Sequence, residues 1–193
     1  MKLTPRGNEV LDFTPTTLPQ DHLAAIGLMS VAASSTDSII EMAIAGMLGI
    51  DGEQGYAVTA HMSAPLRASV LKSAAEIVLT DSKALDELDA IMDGIKRAVQ
   101  ARNDIIHGSW CIQPSTGTVI LVQQEARTHV EIKSRPVTVD EIKLKAITLY
   151  EVGMSLMQFI IAMEKVPALP REDRARGANT PKARKAARKK EGK

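Results

Sequence analysis

The run Ala101-Arg102-Asn103-Asp104-Ile105-Ile106-His107-Gly108-Ser109-Trp110 is where this 193-residue chain stops reading as helix. Upstream, apolar residues recur at helical spacing: Leu85, Leu88, Ile91/Met92, Ile95, Val99, then Arg102, then Ile106. Arg102 stands where the period asks for an aliphatic side chain. Asn103 and His107 lie one turn apart on the adjoining edge, and Gly108 is a natural helix stop. Beyond Trp110 the pattern turns to short alternating runs. The segment therefore divides a helical half from an inserted sheet, and it gathers Arg, Asn and His at the division.

Working outward, Asp21 to Leu48 predicts a first long helix, with Asp21 as N-cap and Gly49 as stop. Asp37 falls on its apolar stripe and Glu41 follows one turn later. A carboxylate on a buried face needs a cation, so the fold should supply one near either. Gly52 to Ala60 reads as a loop, with Tyr56 to Thr59 extended. Ser63 and Pro65 open a second helix, whose expected stripe is Leu66, Val70, Ala74 and Ile77, with Leu71 and Val78 alongside. Thr80-Asp81-Ser82 ends it and begins the third, which runs to about Ile106.

Pro114-Ser115-Thr116-Gly117 predicts a turn between Trp110-Cys111-Ile112 and Thr118 to Val122. His129 to Lys133 alternates as a third strand. Thr138-Val139-Asp140-Glu141 is a capping-box signature opening a last helix to about Lys165. That helix carries two apolar stripes. One is Ile142, Leu149, Val152, Leu156, Phe159/Ile160 and Met163; the other is Ile147, Tyr150, Met154, Met157 and Ile161. Two stripes exceed what one surface helix needs, so the second suits a central core position or a dimer contact.

The expected fold is mainly α: a bundle of four long helices, with a small antiparallel β-meander (about 109–133) inserted before the last. Residues 1–19, with Pro5, Pro15 and Pro19, form an irregular lead-in, 20–166 the domain, and 167–193 a basic tail expected to be disordered. From Arg171 to Lys193 there are ten Lys/Arg against three Asp/Glu, while the rest of the chain is mildly acidic. Such a tail suits nucleic acid or an acidic partner.

The single cysteine, Cys111, excludes an intramolecular disulfide and a cysteine zinc site. It reads as a buried small hydrophobe, and Trp110 as a core anchor. No signal peptide is legible. The apolar runs, broken by Asp37, Glu41 or Gln158, fall short of a membrane span, so the expectation is a cytoplasmic chain without a membrane partner. No phosphate loop or metal-ligand spacing is present among the motifs, so no cofactor and no metal are expected.

Two readings of Arg102, Asn103 and His107 stay open. In the structural one, His107 is favoured at a helix C-terminus by about 0.3–1 kcal/mol, and Arg102 pairs with Asp37, Glu41 or Asp104 in a non-catalytic interaction or nucleic-acid-binding protein. In the functional one, an imidazole moves a proton at the 2′-hydroxyl or leaving oxygen of RNA. An arginine fork then holds the phosphate, and the asparagine orients one of them. One imidazole serves poorly as both acid and base in one step, so a two-fold dimer would help.

Arg102-Asn103 followed by His107, at the end of a long helix in a helical domain, resembles the HEPN superfamily. The resemblance spans about residues 20–108 and 138–165. It implies a metal-independent endoribonuclease acting as a homodimer on RNA, in toxin–antitoxin or defence systems, with an antitoxin as candidate partner. Arg102 and His107 would be its catalytic pair, Asn103 the polar residue after the arginine, and Asp37 or Glu41 a supporting acid. The sheet at 109–133 departs from the family pattern.

Overall fold

The computed structural model describes residues 10–126 and 130–168. It is mainly helical, with a three-stranded antiparallel sheet inserted before the last helix. The helices are α1 (Gln20–Met47), α2 (Gly52–Thr59), α3 (Ala64–Val78), α4 (Ser82–His107) and α5 (Val139–Ala162). The strands are β1 (Ser109–Gln113), β2 (Thr118–Ala126) and β3 (Val130–Pro136), in the order β1-β2-β3. The basic tail beyond residue 168, His129 and the first nine residues lie outside the described residues.

α1 and α5 form the spine. They run parallel, as three contacts show. His22 Nε2 meets the Val137 carbonyl at 3.1 Å. The Thr36 hydroxyl reaches the Leu149 carbonyl at 3.1 Å and the Ala32 carbonyl at 3.0 Å. Gly46 packs on the backbone of Lys165. The approach is close because Gly153 faces Thr36: a Cβ there would lie 2.8 Å from the Thr36 hydroxyl. α1 ends in a Schellman arrangement, with Gly49 at φ 65° and bonds Gly49 N to Gly46 O and Ile50 N to Ala45 O. Here the carbonyls orphaned at a helix end find donors because glycine adopts the left-handed conformation without penalty. The start differs from expectation: Pro19 is the N-cap, and Asp21 sits inside the first turn.

The α1–α5 pair is lined with two clusters. One, toward the C-terminal half of α1, joins Ile40, Ile44, Leu71, Leu88, Met92, Leu156 and Phe159. The other, nearer the sheet, joins Met29, Ile105, Leu121, Ile142 and Leu149. Burying each such side chain contributes about 1.5–3 kcal/mol. β2 is covered on both faces, so Val119 to Val122 are all buried. Leu121 faces the helices, while Ile120 and Val122 join Leu11 and Cys111 in a third cluster. The lead-in is tied down there: Asp12 exchanges two backbone hydrogen bonds with Ile112, of 2.9 and 3.0 Å, on the edge of β1.

Three further expectations need correction. Residues 52–59 are a helix rather than a loop, started by a complete capping box between Asp51 and Gln54. Gly55 belongs there because its missing Cβ lets α2 rest on Ala45. In α3 the buried residues are Leu71, Ala74 and Ala75, with Val70 packed beside them and Arg67 half-buried, while Leu66 and Ile77 face out, Ile77 at 84% exposure. And α1 and α5 are each long and apolar enough, by length and composition alone, to cross a membrane. The charges that break their runs are too few to bring them below that measure.

Candidate functional site

The site lies where α4 meets the sheet. α4 buries Ala84, Leu88, Met92, Ile95 and Ala98 along one line, and the line resumes at Ile105. Arg102 sits between Ala98 and Ile105 on that line and is half-buried. Asn103 is half-buried beside it, and His107, the last residue of the helix, is exposed.

Two features fix the helix end. Trp110 Nε1 donates to the Ile105 carbonyl at 3.0 Å, occupying an acceptor the last turn leaves free. Trp110 thus acts as an anchor, half-buried against the cluster near the sheet. Gly108 has φ −73°, so it is no left-handed stop. Its glycine is needed for room: a Cβ would run into the Leu121 side chain and come 2.9 Å from the Asp104 carbonyl. The same close approach that places β2 against α4 therefore holds His107 at the rim.

The three predicted site residues come together. Arg102 Nη1 donates to Asn103 Oδ1 at 2.9 Å and meets His107 Nε2 at 3.4 Å. A guanidinium has only N–H groups to offer, so His107 Nε2 accepts in that contact, which puts the proton of a neutral ring on Nδ1. Asn103 therefore orients the arginine, and the arginine orients the imidazole. The other edge of the fork differs. Arg102 Nε is buried and has no hydrogen-bond partner among the described residues, and none of them accepts from Nη2. A buried N–H without a partner costs about 1–3 kcal/mol, and more on a charged group.

The supporting acids do not join this cluster. Glu41 pairs with Arg67 of α3 at 3.1 Å, and Arg67 Nε reaches the Thr59 carbonyl at 3.4 Å. The cation that the buried carboxylate demanded is thus Arg67, and it fastens α1, α2 and α3. Asp37 is half-buried and forms no ion pair among the described residues. Asp104 accepts from Gln100 at 3.1 Å rather than from Arg102. Sequence reading had no means of assigning Arg67 or the Trp110 clasp, since each joins residues whose proximity only the packing decides. Among the described residues no group of three or more His, Cys, Asp or Glu is placed to hold a metal ion.

Cys111 is buried and points its thiol at the Ile120 carbonyl, 3.5 Å away. Burial, with a smaller contribution from the Asp12 charge, pushes its pKa up.

No family model, no curated protein and no solved structure matches this chain.

Proposed function

We propose that this chain is a HEPN-like, metal-independent endoribonuclease that works as a homodimer, with Arg102, Asn103 and His107 as its active site. One observation carries the reading. An exposed histidine is held by a half-buried arginine whose Nε is buried without a partner and whose Nη2 has no acceptor among the described residues. A polar cluster built for stability alone closes its own donors. This one leaves without an acceptor the pair of N–H groups that matches two oxygens of a phosphate, which a small outward swing of the guanidinium would present.

The chemistry follows from those atoms. The Nε/Nη2 edge binds two non-bridging oxygens of the scissile phosphate and stabilises the charge that builds on them during attack. His107 Nε2 exchanges its 3.4 Å contact with Arg102 Nη1 for the adjacent 2′-hydroxyl and takes the proton from it. The 2′-oxygen then bonds to phosphorus as the bond to the 5′-oxygen breaks, and the leaving oxygen gains a proton from water. The products are a 2′,3′-cyclic phosphate and a 5′-hydroxyl. Asn103 keeps the guanidinium plane in place throughout.

The test is cleavage of RNA by purified protein in EDTA. Wild type is expected to leave cyclic-phosphate ends, and His107→Ala to lose roughly a hundredfold or more in rate. Equal cleavage by both, with the variant's circular dichroism unchanged, would overturn the assignment.

A further inference from the structure

α3 covers only one half of the seam between α1 and α4. It is tied to both helices by charge: Arg67 to Glu41 of α1 at 3.1 Å, and Lys72 to Asp89 of α4 at 2.7 Å. Its apolar residues join the cluster toward the C-terminal half of α1. None joins the cluster nearer the sheet, where Ile26 and Ala33 of α1 and Val99 and Ile106 of α4 stay only partly buried. Among the described residues the seam therefore continues past α3 as a groove, with those four side chains as its floor.

Helical period places the rims. Asp37 lies one turn before Glu41, on the same flank of α1. On α4, Asp89, Lys96, Asn103 and His107 fall within about 40° of one another, at about 100° per residue. Asn103 is also about 180° around α4 from Gly94, the residue that faces Val152 of α5. The row thus looks to the α3 side, away from α5. α3 covers it at Asp89 and leaves Lys96, Asn103 and His107 in a line about 16 Å long. Asp37 comes between Ala33, which packs on the cluster near the sheet, and Ile40, which belongs to the other; Val99 packs against both. Asp37 and Val99 therefore stand at one level, a turn short of Asn103. Asp37 is half-buried and Lys96 exposed, and neither forms an ion pair among the described residues.

We propose that this groove seats a guanine nucleotide of the RNA strand close to the cleaved bond, with Asp37 reading the base and Lys96 holding its phosphate. Guanine alone among the four bases presents two adjacent donors, N1–H and the N2 amino group, on its Watson–Crick edge. A carboxylate accepts both. Adenine and cytosine set a ring-nitrogen acceptor beside their amino donor, and uracil flanks its one donor with two carbonyl oxygens, so each turns a lone pair toward the charge. Single-stranded RNA is read through such edges. Lys96, on the other rim, supplies a point charge for the phosphate. Val99 is about 12 Å along the helix from His107, which places the base within a nucleotide or two of the scissile phosphate. The inference rests on RNA being the substrate of the Arg102–His107 cluster and adds which RNA it is.

The experiment follows the fluorescence anisotropy of oligouridylates mixed with the full chain. They are made uncleavable by 2′-deoxy substitution, and each carries one guanine, adenine or cytosine at its centre. Wild type should bind the guanine oligonucleotide roughly tenfold or more tighter than the others. Asp37→Asn keeps the size and exchanges an acceptor for a donor, so preference should pass from guanine to adenine and cytosine, whose edges pair with an amide. A residue that merely shaped the groove would not move the preference in that direction. Lys96→Glu should weaken all three alike and flatten the salt dependence. Guanosine monophosphate should compete only at far higher concentration than the oligonucleotide. Equal or absent binding of the three by wild type would overturn the proposal. So would a guanine preference unchanged in Asp37→Asn with circular dichroism intact, or competition by guanosine monophosphate at the oligonucleotide's own concentration. These are binding readouts, so a guanine preference stands even if the chain does not cleave RNA. Cleavage that needs His107 but ignores guanine would remove the groove and leave the active site.

Discussion

Gly153→Ala tests the spine of the fold. In an isolated helix the exchange stabilises by about 1 kcal/mol, because alanine gives up less backbone freedom. Here the new methyl carbon would stand 2.8 Å from the Thr36 hydroxyl and 3.4 Å from its Cα and Cβ. Thr36 is 1% exposed, and its hydroxyl already bonds to the Ala32 and Leu149 carbonyls, so it has nowhere to go. Relief comes only from moving α1 away from α5 along their whole contact. Overpacking of this kind costs about 1–3 kcal/mol, and a weakened buried hydrogen bond adds about 1 kcal/mol. The net expectation is a loss of about 1–3 kcal/mol, read as a lower urea midpoint and a melting temperature lower by roughly 2–4 °C per kcal/mol for a chain of this size. Thr36→Ala in the same chain removes the obstructing oxygen, so the double variant should be more stable than the two single losses predict. Stabilisation of Gly153→Ala by the full helix-propensity gain would refute the close-approach argument.

Three further outcomes follow from particular contacts. Gly108→Ala meets no backbone strain at φ −73°, so its expected loss of about 1–3 kcal/mol in chemical denaturation is steric and comes from Leu121 and the Asp104 carbonyl. Cys111, with its pKa raised first by burial, should react with a thiol reagent only as the fold opens, so modification at neutral pH should follow unfolding by denaturant. Glu141 accepts hydrogen bonds from Arg135 at 2.9 Å and Lys145 at 2.7 Å, and its pKa is lowered, chiefly by Arg135. A depressed carboxylate stabilises above its unfolded pKa and loses that contribution as pH falls through the folded value. Melting temperature should therefore drop on acidification below the ordinary glutamate range, and less steeply in Arg135→Ala.

Much of this architecture can be read from spacing. The helix-to-sheet change at Gly108, the turn at Gly117 and the opening of α5 at Thr138 rest on local chemistry, and the structure has all three. Even so, Glu141 spends its carboxylate on Arg135 and Lys145 instead of returning it to the N-cap. α2 was hidden because Gly52 and Gly55 disfavour helix, although the Asp51-to-Gln54 box announces one. In α3, apolar residues fall on two lines, and helical period cannot choose between them. The choice is made by Glu41, which draws Arg67 and the line below it inward. At the site, the place of Arg102 on a buried line is legible. The division of its guanidinium into an occupied and an unpaired edge is not, because it depends on side-chain geometry at the helix end.

That unpaired edge is the most direct point of attack on the functional account. Arg102 Nε–H is buried, so its proton should exchange slowly enough to be seen by NMR. The measurement is a titration with an oligoribonucleotide made uncleavable by 2′-deoxy substitution at the scissile position. The account predicts that the Arg102 Nε–H resonance moves downfield to saturation as a phosphate takes that edge, together with the His107 ring signals. An oligonucleotide that binds while both sets of signals stay in place would contradict it.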